Sequence, residues 1–168
     1  MNRIILLMTL ISGVFVQQSN AQQTVPAKFN VSLDKYYVLK NALATDKAPA
    51  AQQAAVALAA AVKDVPHKGF ATDQQHMLWM KESAAIQQQL SLIAGSSDLK
   101  VQRKSFEEVS SSFVTLVNAL KLNTKTVFVQ YCPMAKASWL NEVKEVQNPY
   151  YGSMMYDCGS LTSTINKK

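Results

Sequence analysis

Cys132 and Cys158 are the two cysteines of this 168-residue chain, and methionine stands near each. Met134 follows the first by two positions, and Met154 and Met155 precede the second by four and three. Thiolates and thioethers are soft donors. Together they select copper(I) or silver over magnesium or calcium, whereas zinc accepts thiolates but rarely a thioether. In an extended segment, residues two apart project to one side, and Pro133 disfavours a helix at Cys132, so the Cys132 and Met134 sulfurs are expected to face one point. One helical turn would align either Met154 or Met155 with Cys158. Asn148-Pro149 and Gly152 are turn residues suited to folding the intervening stretch back, with Trp139 and Tyr150 as an apolar wall. The chemistry expected of residues 131–159 is capture of copper(I), with silver or zinc as alternatives.

The rival is a Cys132–Cys158 disulfide closing a loop of 25 intervening residues, which chain entropy would credit with about 3–4 kcal/mol. The methionines favour metal, because a structural bridge has no use for thioethers. The two readings are also compatible as redox states of one site. His76 is an additional candidate ligand, on the expected inward stripe of a helix with Met80 one turn later. His67 reads as a solvated loop residue, and Met77 and Met80 as core packing. A cysteine-hydrolase trio of Cys132, a histidine and Asn148 lacks any nucleophile context, and no phosphate-binding glycine loop or H-E-x-x-H motif occurs. The expectation is a non-enzymatic binder.

Four amphipathic segments must position these donors. Apolar residues take helical spacing from Phe29 (Phe29, Leu33, Tyr36, Tyr37, Leu43), with Ser32 a possible cap and an end near Asp46. Pro49 suits the first turn of an alanine-rich second helix reaching Val65. Thr72 or Asp73 caps a third helix running to about Ala94, with Gly95 as its stop. Asp98 caps a fourth, reaching about Leu122, in which Phe106, Val109, Phe113, Leu116, Val117 and Leu120 recur at intervals of three and four. Short connections argue for an up-down four-helix bundle. Residues 126–131, T-V-F-V-Q-Y, read as a strand, and 160–165, S-L-T-S-T-I, as a weaker one. Pairing them antiparallel sets Tyr131 opposite the residues just after Gly159 and brings the cysteines to one end of a short C-terminal β-ribbon, a flap on the bundle.

Residues 1–21 have the form of a secretory signal peptide: a basic start, an apolar run over 4–16, and small residues before a cut after Ala21. That run falls short of the ~20 residues a span needs, so an exported chain with no membrane insertion after cleavage is expected. Residues 22–168 fit one domain, with 22–28 as a loose terminus. The net charge of +6 comes from scattered lysines, without the basic cluster interleaved with aromatics that nucleic acid requires.

Several stretches carry a resemblance. They are Y-Y-x-L-K-x-A-L over 36–43, Q-R-K-S-F-x-x-x-S over 102–110, V-Q-Y-C-P-M-A, W-L-N, and N-P-Y-Y-G-S-M-M-x-x-C-G. In these the chain resembles a periplasmic domain-of-unknown-function family. That family is found free-standing or appended to heavy-metal efflux membrane-fusion proteins of the copper/silver type. The resemblance implies a helical periplasmic domain working beside metal efflux, with an efflux membrane-fusion protein as partner. It also implies Cys132, Met134, Met155 and Cys158 as the metal-facing positions.

Overall fold

A computed structural model describes residues 24–167. The expected signal peptide lies outside the described residues. Four helices come first, α1 (Val25–Ala44), α2 (Ala48–Lys63), α3 (Asp73–Gly95) and α4 (Leu99–Leu120). Three strands follow, β1 (Val127–Cys132), β2 (Ala137–Asn141) and β3 (Ser160–Ile165), with a 3-10 turn (Gly152–Met155) before the last. The architecture is mainly α, an up-down four-helix bundle with a small C-terminal β flap.

The caps expected of α3 and α4 form: Thr72 Oγ1 accepts from Gln75 N and Asp98 Oδ1 from Lys100 N. The start of α1 differs. Thr24 Oγ1 accepts from Ala27 N, and Pro26 sits in the first turn, where its missing N–H has no helical partner to lose. Val25 is buried and extends the Phe29–Leu33–Tyr36 stripe, so residues 25–28 are helix and not a loose end. Ser32, expected as a cap, is buried within α1 and donates to the Lys28 carbonyl. On α3 the buried residues are Trp79, Ile86, Leu90 and Ile93. Met77 and Met80 are exposed, against the core packing expected of them.

The flap is a three-stranded antiparallel sheet in the order β2-β1-β3. The register of β1 with β3 sets Tyr131 against Ser160, as expected. A third strand not expected from the sequence, β2, pairs Gln130 with Trp139 and Cys132 with Ala137. Its residues, A-S-W-L-N, carry no β-branched side chain and little local strand preference. Burial of Trp139 and Leu140 in the common core makes it a strand. Tyr36 of α1 anchors it: its hydroxyl accepts from Leu140 N at 3.1 Å and shares a 2.5 Å hydrogen bond with Ser110 of α4.

Candidate functional site

Cys132 ends β1 and is fully buried; Cys158 is half-buried just before β3. Both are free thiols, with their sulfurs 3.9 Å apart. The Cys132 sulfur also accepts from Ala135 N at 3.5 Å. Burial, and then the neighbouring Cys132 thiol, push the Cys158 pKa upward. A bound cation would reverse that preference by favouring the thiolate. Capture of an ion there would have to release the thiol protons and would therefore strengthen as pH rises.

Asn148 builds the loop that carries Cys158, a role its reading as a turn residue did not include. It is fully buried, and its Nδ2 donates to the Cys158 carbonyl at 2.7 Å. Its Oδ1 accepts from Tyr150 N at 2.8 Å and Tyr151 N at 3.3 Å, and its own N–H donates to the Tyr156 carbonyl. One side chain thereby ties both ends of the loop. Asn148→Ala is expected to cost about 1–3 kcal/mol for the orphaned groups. It should also raise the rate at which Cys158 reacts with a thiol reagent, leaving the fully buried Cys132 less affected. Equal rates in parent and variant would remove Asn148 from this role.

Two glycines let the same loop approach its neighbours. Gly159 has φ +148°, and a Cβ there would lie 2.9 Å from both the Trp139 ring and the Tyr131 carbonyl. Trp139 is fully buried and meets Tyr150 edge-on at 5.8 Å, so the apolar wall forms next to Cys158. At Gly152, φ +58°, a Cβ would collide with the Arg103 guanidinium and the Asp46 carboxylate. That ion pair clamps the loop to the bundle. Arg103 donates to Asp46 and to the Leu43 and Pro149 carbonyls, while Asp46 Oδ2 accepts from Ser153 N at 3.0 Å. The Ser153 hydrogen bond, then Arg103, hold the Asp46 pKa down to about 2 from 3.8. A depressed carboxyl pKa contributes stability above the unfolded value that is lost as pH falls through the folded one. Acidification from about pH 4 to pH 2 is therefore expected to release the 152–155 turn. Asp46→Asn, followed by the fluorescence of the nearby tyrosines and tryptophan, should show a smaller change across that window than the parent; an identical acid profile would contradict it.

A buried polar network secures the strap from β2 to Asn148. Lys40, fully buried on α1, donates to Asn141 Oδ1 and Gln147 Oε1, both at 2.6 Å, and pairs with Glu142 at 3.2 Å. Asn141 donates to Gln130 Oε1 and to the Glu145 carbonyl, while Gln130 Nε2 donates to the Lys144 and Glu145 carbonyls. Residues 36–43 of α1 and 102–110 of α4 thus serve to position the tail. Tyr36 and Lys40 hold β2 and the strap. Arg103 holds the loop, Phe106 stacks on Tyr36 at 5.4 Å, and Ser110 bonds the Tyr36 hydroxyl.

The structure brings Cys132 and Cys158 together, with the backbones of Met134 and Met155 adjacent. Residues 133–136 form the β1–β2 turn, so the extended geometry expected to align Met134 with Cys132 does not hold; Met134 is 59% exposed. The Met155 carbonyl accepts from Cys158 N at 3.0 Å, and its side chain is 38% exposed. His76 is elsewhere. Glu82 on α3 bonds Ser112 on α4, and Thr72, Gln75 and Leu78 share a depression with Ala119, so the two helices run antiparallel. His76 therefore lies near the C-terminal end of α4, roughly 24 Å along the helix from Arg103. Placing it in a pocket with the cysteines, as the inward stripe suggested, is corrected by this geometry. Among the described residues no three His, Cys, Asp or Glu side chains converge as a metal-holding group. A shell larger than the thiol pair would need methionine or an incoming ligand.

Over residues 33–125, more than half its length, the chain matches the family described as protein of unknown function (DUF3347). The chain belongs to this family. The DUF3347 match covers the four helices from Leu33 onward and stops before β1. It includes Tyr36, Lys40 and Arg103, which hold the tail, but neither cysteine. No curated protein and no solved structure matches the chain. No helix of the described residues is long and apolar enough to cross a membrane.

Proposed function

We propose that this DUF3347 protein is an exported, periplasmic binder of soft metal ions that captures or buffers copper(I) and passes it to heavy-metal efflux. Cys132 and Cys158 serve as thiolates, with Met134 and Met155 as the thioethers available to them. The observation that carries the reading is the 3.9 Å separation of the two sulfurs. With metal–sulfur bonds of about 2.3 Å, that span subtends an angle of about 115° at a shared ion. A bent pair leaves room for a third donor, and both neighbouring methionines are exposed enough to swing towards it.

Beside the pair, a groove of about 640 Å³ is lined by Leu99, Ala135, Tyr150 and Met154, with Arg103 and the Lys104–Glu107 ion pair among its charged edge. It offers an efflux membrane-fusion protein a largely apolar place, edged by charges of both signs, to approach the ion. The reading is one of binding, and what supports it is the donor set, two thiols with thioethers in the adjacent turns. Mixing the reduced, leader-free protein with copper(I) under a competing chelator tests the reading. It expects one ion retained per chain, and no retention rejects it.

The closeness of the thiols also favours a second reading, a disulfide-stapled interaction module that takes no metal, because an oxidising compartment would join such a pair. A thiol count on protein purified without reductant separates the two. Two free thiols reject the staple. No free thiols, with copper(I) binding only after reduction, makes the bridge and the metal site alternate states of one pair.

A further inference from the structure

We infer that the chain has a second soft-ion site at the other end of the bundle. Its ligands are His67 and Met80, and its occupant is a monovalent ion, copper(I) or silver. His67 lies in the connection between α2 and α3. Its Nδ1 stands 3.2 Å from the sulfur of Met80, which projects from α3 with 41% of its surface exposed.

Bonds of about 2.0 Å to nitrogen and 2.3 Å to sulfur across such a span meet at roughly 95°, a realisable angle for two ligands of one ion. Imidazole and thioether are both neutral donors, the soft pairing that suits a monovalent ion. The surroundings sharpen that choice. The depression holding the pair, about 410 Å³, is walled by Val62, Trp79, Ala84, Ser83 and Gln87. No carboxylate lines it, and the one charged group on its wall is Lys63. A cationic wall without acids penalises a divalent ion more than a monovalent one.

His76 stands one turn before Met80 on the same helix face and packs its ring on Phe70, 5.8 Å away in the connection that carries His67. Its Nε2 is buried and has no hydrogen-bond partner among the described residues. His76 is thus a neighbouring imidazole one turn along α3, outside the lining of the depression itself.

The site is separate from the cysteines, so it can be tested without them. The full mature chain carrying Cys132→Ser and Cys158→Ser is titrated with silver(I) while the methionine methyl signals are followed by carbon-13 NMR. The signal absent in Met80→Leu identifies Met80. One equivalent of silver should move that signal, and His67→Ala or Met80→Leu should each weaken silver retention at least tenfold. A smaller effect from both variants, or no silver binding by the double-serine chain, overturns the site. Should the double-serine chain fold poorly, the same Met80 signal is read in the parent protein during addition of a second equivalent. A Met80 signal that does not move then counts against the site equally. Failure here leaves the Cys132–Cys158 reading untouched.

Discussion

Cys132→Ser is expected to weaken copper(I) retention by the reduced protein on the order of 100-fold or more. A structural thiolate site contributes ~10–16 kcal/mol over its four ligands, or about 3 kcal/mol for each. Serine keeps the size and the buried position at the end of β1 but offers a hard oxygen in place of a soft sulfur. Cys158→Ser should do the same, because the bent geometry depends on both sulfurs. Met155→Leu and Met134→Leu, which remove thioethers from exposed side chains, should cost less, on the order of tenfold for whichever methionine completes the shell. The measurement is competition against a copper(I) chelator, with circular dichroism to verify the fold. Retention by Cys132→Ser equal to the parent would show that the two thiols do not share an ion.

Lys40→Ala is expected to destabilise the protein by about 3–5 kcal/mol, with Tm falling by roughly 10–15 °C. Lys40 reaches from α1 to three acceptors, Asn141, Gln147 and Glu142. Glu142 is partly exposed and can rehydrate. The loss therefore comes mainly from Asn141 and Gln147, left without their donor, and from the space vacated by a fully buried side chain. Burial lowers the Lys40 pKa, opposed by Glu142. The folded state thus binds this proton more weakly than the unfolded chain. By linkage the cost of burying the charged ammonium is present at neutral pH and shrinks as pH rises from the folded value towards the unfolded one near 10.5. Because Lys40 holds the strap that ends in Asn148, the variant should also lose protection of Cys158 from thiol reagents at temperatures where α1–α4 remain helical. A Tm within a few degrees of the parent, about one kcal/mol or less, would show that the network is dispensable.

The helical bundle was legible because its signals are local. The caps Thr72 and Asp98, Pro49 in a first turn, and the spacing of Phe106, Val109, Phe113 and Leu116 each depend on residues within one or two turns of one another. The pairing of β1 with β3 was legible for a related reason: two short β-prone runs and the glycine before the second leave few registers in which they can meet. β2 was not legible, since A-S-W-L-N becomes a strand through burial of Trp139 and Leu140 against distant helices.

The same limit applied to the site. Two cysteines with methionines nearby are visible in any reading, and so is the soft chemistry they imply. Lys40, Arg103, Gln130, Asn141 and Asn148 all fall within the stretches that carry the resemblance, but their residue types do not show their role, because a polar residue on a helix or in a turn looks the same whether it faces water or a buried partner far along the chain. His76 and His67 exchanged prominence for this reason too. A stripe gives the face of a helix but not which end of the bundle that face reaches. The donor types were determined by the sequence alone; which donors meet was decided by contacts between segments far apart in the chain, and only tertiary packing specifies those.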